Sequence, residues 1–203
     1  MTPLHLAGIN NQQDIIKLLL NQKGIEIGKS CFSNCRKLTN FDIPANLTSI
    51  PWAAFSGCTY LASIVIPPSV VSIGTWAFNE CASLVSVEIP SSVKSIGNHV
   101  FAGCFSLKNV VFPPDITSIG EWAFAGCRSL EKFDIPSSVT DIGQYAFAAC
   151  TSLSCINIPP NVKSIGTRCF NKCISLKSIK IPPSVTEIGY GAFENCPDLQ
   201  ILK

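Results

Sequence analysis

IGEWAFAGCRSLEKFDIPSSVTD, residues 119–141, decides the fold, because the same 23-residue frame is found again on both sides of it. Phe124 has counterparts at Phe32, Phe55, Phe78, Phe101, Phe147, Phe170 and Phe193. Cys127 has counterparts at Cys35, Cys58, Cys81, Cys104, Cys150, Cys173 and Cys196. A fixed period of this size with apolar residues in fixed phase marks a solenoid. One unit buries too little to close a core, whereas stacked units bury each other's faces.

Within the unit the hydrophobic period switches. Leu130-x-x-Phe133-x-Ile135 ends in alternation and Pro136 stops it, which reads as a short strand. A strand repeated in register gives a parallel sheet with coils ~4.8 Å apart. Ser137-Ser138 turns the chain, Val139-x-x-Ile142 is a second short apolar segment, and Gly143 turns the chain again. The spacing of Ala146, Phe147 and Cys150 then suits one turn of α- or 3₁₀-helix. The recurrent glycine points to positive φ or tight packing, and Pro51 in its place shows that positive φ is not needed in every unit. The frame runs over residues 27–203 as seven full units and a truncated eighth, IGYGAFENCPDLQILK. The expected architecture is an α/β solenoid: a right-handed coil of about eight turns, roughly 35 Å long, with a parallel sheet and short helical turns.

Residues 1–26 follow a different rule. Thr2-Pro3 reads as a helix start, with proline at the first helical position. Leu4 and Leu6 lie on a short helix, Asn10-Asn11 is a turn, and Ile15, Ile16, Leu18, Leu19 and Leu20 drive a second helix. This segment resembles the helical hairpin of an ankyrin repeat, whose TPLHxA signature is matched by residues Thr2 to Ala7. A single such unit reads as a cap or a remnant rather than an ankyrin binding surface, and a cap is useful because the first coil would otherwise expose its interior.

The repeated pattern resembles the leucine-rich repeats of the BspA-like family, the 23-residue class with an AFxxCxSLxxIxIP core, over residues 27–203. That family is known from surface proteins of mucosal bacteria and protozoan parasites. The resemblance therefore implies adhesion or host-ligand binding at a cell surface. The start MTPLHLAGINN has no basic stretch followed by an apolar one, so it does not read as a secretory signal. Taken alone, it points to the cytoplasm. The expected function is a non-enzymatic protein-binding repeat module of the surface-adhesion type, with an intracellular scaffold as the second reading.

Composition excludes several classes. Hydrophobic residues make up 47% and charged residues 14%, yet no apolar run approaches the ~18 residues of a membrane span. With a net charge of +2 and no Lys/Arg cluster, nucleic acid has no electrostatic handle. Eight of the 11 cysteines form the ladder. Zinc ligands come in short spacings that these lack, and stacked side chains point in parallel rather than at each other, which disfavours disulfides. They are expected to pack as small buried hydrophobes, as are Cys31 and Cys169, whereas Cys155 takes an outward strand position and is the candidate reactive thiol. The two histidines, His5 and His99, have no nucleophile or carboxylate fixed nearby by sequence, and the glycines form no phosphate-binding loop. His5 is expected to make a local hydrogen bond. No catalytic residue, cofactor or metal is expected. The sequon Asn46-Leu47-Thr48 matters only in a secreted chain.

Two outward faces remain for a protein ligand. The helix side presents Trp76, His99, Trp122 and Tyr145 in one phase, with Trp52 and Tyr190 one position earlier. Trp and Tyr are enriched where binding energy concentrates, so these four are the candidate contacts, with packing over the neighbouring coil as their alternative role. The strand face offers Asp42, Glu88, Val111, Asp134, Asn157 and Lys180 as the alternative surface. Leu199-x-x-Leu202 begins a strand cut short at Lys203, which points to self-association through that end.

Overall fold

The computed structural model describes residues 2–22 and 26–202; the hairpin boundary at residues 23–25, Met1 and Lys203 lie outside the described residues. Thr2 caps α1 (Pro3–Ile9): its Oγ1 accepts from His5 N at 3.2 Å, and Pro3 needs no partner for the N–H it lacks. Asn10 ends the helix and Asn11, at φ 54°, turns the chain into α2 (Gln13–Leu20). Leu4, Ala7, Ile16 and Leu20 are buried in the same core as Phe32 and Cys35. His5 makes no local ring bond; its Nδ1 donates across to the Cys31 carbonyl at 3.0 Å, and Gln13 Nε2 donates to the Asn40 carbonyl at 2.8 Å. The hairpin thus closes the open end of the first coil.

The rest is a parallel-sheet solenoid of about seven turns. One row of strands runs through Asn40–Asp42, Ser63–Val65, Ser86–Glu88, Asn109–Val111, Lys132–Asp134, Cys155–Asn157 and Ser178–Lys180 to Gln200–Leu202. Partners such as Asn40↔Ser63 and Lys132↔Cys155 stand one frame apart. In most strands the middle residue is buried and both flanks are exposed, as period-2 alternation requires. A second row of two-residue strands, from Ser49–Ile50 to Glu187–Ile188, sits after each proline turn. The final pairing slips: Ile179 partners Ile201, one residue short of the frame. Gln200–Leu202 is exposed throughout, because no described strand packs beyond it.

Inside, the phenylalanines form one column of stacked rings, with centroids 5.2 Å apart at Phe32–Phe55 and 5.5 Å at Phe124–Phe147. Phe124 is fully buried, and Phe133 meets it edge-on at 4.9 Å. Around that column the expected helical turns take a particular form. Ala123, Ala125 and Cys127 donate to residues three back, while Trp122, Phe124 and Gly126 donate to the next coil. Trp122 (φ 57°) and Gly126 (φ 75°) are left-handed, and the same two positions are left-handed in the other coils. A left-handed residue every fourth position keeps these turns from becoming a helix. The glycine at the start of the turn is there for room rather than for its φ. A Cβ on Gly143 would sit 2.7 Å from the Glu121 nitrogen of the preceding coil. Among the described residues, no helix is long and apolar enough to cross a membrane.

Candidate functional site

The cysteine ladder has a structural job that its spacing alone does not reveal. From Cys58 onward each ladder thiol donates to the carbonyl of a phenylalanine in the preceding coil: Cys58 to Phe32 at 2.9 Å, Cys104 to Phe78 at 3.2 Å, Cys150 to Phe124 at 3.2 Å; Cys35, in the first coil, meets the His5 carbonyl at 3.7 Å. Each phenylalanine carbonyl already accepts the i−3 backbone bond of its own turn, so the thiol satisfies its second lone pair. Burial pushes the Cys35 and Cys104 thiols up to about 12, and Cys81, Cys127 and Cys169 well above their ordinary value. These are inert thiols. Cys196 departs from the expected burial: it is half-exposed, since it lies in the last described coil. Cys155 is exposed. Among the described residues, no three His, Cys, Asp or Glu side chains are grouped as a metal site.

Trp76, His99, Trp122 and Tyr145 are brought into one half-exposed stack. Ring centroids stand 4.2 Å apart at Trp76–His99, 5.7 Å at His99–Trp122 and 4.1 Å at Trp122–Tyr145, with planes within 16°. Arg168 continues the row: its Nη1 donates to Tyr145 Oη at 3.0 Å and its Nε to Glu194 at 3.0 Å. All four ring residues are left-handed, at φ 54–64°. A side chain there costs about 1–2 kcal/mol, and a stacked aromatic pair returns about 0.5–1.5 kcal/mol. The stack therefore offsets a strain that the architecture imposes, since Ser30, Ala53 and Arg168 are left-handed at the same position. His99 is held neutral: burial among the rings lowers its pKa, against the opposing pull of Glu121. Trp52 and Tyr190, one position earlier, stay outside this stack and are exposed.

The strand face is a row of exposed flanks. Register places Asp42 beside Val65, Glu88 beside Val111 and Asp134 beside Asn157. Lys180 lies beside Leu202. A shallow depression of about 610 Å³ lies over Val65, Glu88 and Val111, walled by Pro90 and Pro114. It holds no aromatic anchor other than Phe112.

A second depression, of about 570 Å³, runs along the foot of the aromatic stack. Its floor is Ala102, Ala125 and Ala148, with Trp122 and Tyr145 packed against them as one wall and Phe105 opposite. Asn79 and Asn171 occupy the alanine position in the coils at either end. Gly103 and Gly126 hold the next, left-handed position without a side chain, between Glu80 and Lys172. Sequence reasoning missed this groove. The signal was there in the residue after each phenylalanine, which runs Ser, Ser, Asn, Ala, Ala, Ala, Asn, Glu along the chain.

A capped parallel solenoid with an inert hydrogen-bonded interior and two patterned outer faces defines a repeat protein of the leucine-rich class. The profile of the BspA type Leucine rich repeat region matches residues 25–154 and 77–200, and the chain belongs to that family. A leucine-rich repeat protein of T. pallidum is 32% identical, with a TM-score of 0.76 over 80% of this chain and 78% of that one. One from Bacteroides ovatus is 29% identical, with a TM-score of 0.70 over 87% of this chain and 58% of that one. A leucine rich cell surface protein of Faecalibacterium prausnitzii is 34% identical, with a TM-score of 0.63 over 87% of this chain and 57% of that one. The chain thus spans little more than half the length of the last two. No match was found among the curated proteins.

Proposed function

We propose that the chain is a non-enzymatic protein-binding module displayed at a cell surface, where it serves adhesion or host-ligand binding. The observation that carries this reading is the half-exposed stack of Trp76, His99, Trp122 and Tyr145 with an apolar groove at its foot. Large rings that exclude water together are what a binding hot spot requires. The surface location draws support from the F. prausnitzii relative, which is described as a cell surface protein. Surface-restricted biotinylation of intact source cells tests it: labelling of the chain is expected, and labelling only after lysis overturns the surface reading.

An intracellular scaffold is the second reading, favoured by the ankyrin-like hairpin that docks through His5 onto the first coil. Self-association belongs to either reading. Ile188, Ile201 and Leu202 are exposed beside the open edge of Gln200–Leu202, and a second copy added there would pair that strand. Light scattering at rising concentration should show a dimer that Ile201→Lys weakens.

A further inference from the structure

We propose that the groove beside the aromatic stack takes an extended aliphatic peptide of about six residues, basic at its Glu80 end and acidic at its Lys172 end. This rests on the protein-binding reading and names the ligand that the reading leaves open.

The length follows from two polar anchors. Asn79 and Asn171 are only 8% and 9% exposed, yet both line the groove. Their amide nitrogens are engaged, Asn79 Nδ2 with Ser56 Oγ at 3.5 Å and Asn171 Nδ2 with Glu194 at 3.2 Å. Among the described residues, no donor reaches either amide oxygen. Each of these oxygens is still reached by solvent, so its bond to water can be exchanged for one from a peptide N–H. The two asparagines stand four coil steps apart, about 19 Å at the strand spacing. An extended chain spans that distance in about six residues.

The chemistry of the middle follows from the floor and the walls. Three alanines and two glycines leave space for branched aliphatic side chains and offer them no hydrogen bond. Trp122, which lines the groove, cannot serve as a platform for a sugar, because both its faces are covered, by His99 at 5.7 Å and Tyr145 at 4.1 Å. That leaves the edge of Trp122 for the groove, and edges pack against aliphatic groups. The polarity follows from the ends. Glu80 and Lys172 are exposed at opposite ends of the lining, and neither takes part in an ion pair among the described residues. Arg168, near the Lys172 end, is already matched by Glu194.

The test is selection of a phage-displayed random hexapeptide library on the full chain, with Ala125→Asn as counter-selection. Asn is already present at that position in the coils of Asn79 and Asn171, so the fold accepts it. The expected winners carry opposite charges flanking aliphatic residues. As synthetic peptides they should shift the emission of Trp122 and bind Ala125→Asn about tenfold more weakly. Each of Glu80→Lys and Lys172→Glu should weaken them about fivefold, and reversing the matching peptide charge should restore the loss. Peptides that bind Ala125→Asn equally well remove the groove as the site and leave the protein-binding reading standing. Winners without charge bias, or no winners at all, overturn the proposal. So does a neutral oligosaccharide whose binding Ala125→Asn abolishes, which would assign the groove to a glycan.

Discussion

The strand face and the turn face are cut from the same frame, yet they hold their side chains in opposite ways. On the strand face, alternation throws Asp42, Val65, Glu88 and their neighbours outward one per coil, and register alone aligns them. Among the described residues no side-chain hydrogen bond or ion pair ties these outward residues to one another, so mixed residues are tolerated there. On the turn face a left-handed residue aims Trp76, His99, Trp122 and Tyr145 along the coil axis into contact. The difference teaches that a solenoid can build a continuous rigid feature outside its core, provided the backbone strain is offset by stacking. It also explains why the more apolar groove lies at the foot of the rings rather than over the strands.

The comparison rests on an intact frame, and breaking the frame should have the largest effect. Deleting residues 96–118, one whole unit, should leave a folded, shorter solenoid, because stability is nearly a sum of unit and neighbour terms. Deleting eleven residues within them should unfold the chain. Circular dichroism and melting read both, and equal tolerance of the two deletions would falsify the register. Next in size is the contrast between inner and outer rings. Phe124→Ala should cost about 4 kcal/mol through lost burial and the cavity left behind. Trp122→Ala, two residues away, should cost about 2 kcal/mol, since the stacking on His99 and Tyr145 is lost while Ala keeps the left-handed strain. If Trp122 is a partner contact, its loss should weaken binding by at least ~2 kcal/mol in the folded variant. Should binding survive intact, the contact moves to the strand face, with Glu88 and Asp134 the residues to change.

Thiol labelling sharpens the same boundary. Cys155 on the strand face should react first, Cys196 next, and the buried ladder slowly until denaturant is added. Fast native labelling of the ladder would mean that the coils are not closed. The smallest effect expected is that of His99. Its folded pKa lies below the ordinary value, so its contribution to stability is present above about pH 6.5. That contribution is lost as the pH falls through the lowered value, where the unfolded chain binds the proton more readily. The melting temperature should therefore fall from pH 7 toward pH 5 more in the native chain than in His99→Phe. An identical pH dependence in the two would show that the ring is not held neutral.

The sequence by itself determined the frame, the solenoid, the parallel strands, the buried Phe and Cys columns and the exposure of Cys155. Each is a matter of period and phase, and stacking copies the phase of one unit onto the next. It also placed four rings in one phase, though not the manner of their contact. Only the tertiary structure decided that the turns alternate left-handed residues instead of forming helix, because that depends on where each N–H finds its acceptor in the next coil. The same holds for the thiol bonds to the phenylalanine carbonyls and for Gly143, which is kept small by a backbone 23 positions earlier. The groove is the clearest case. Ala102, Ala125 and Ala148 are unremarkable in the chain, and they become a floor only when coils stack and the neighbouring rings lean together above them.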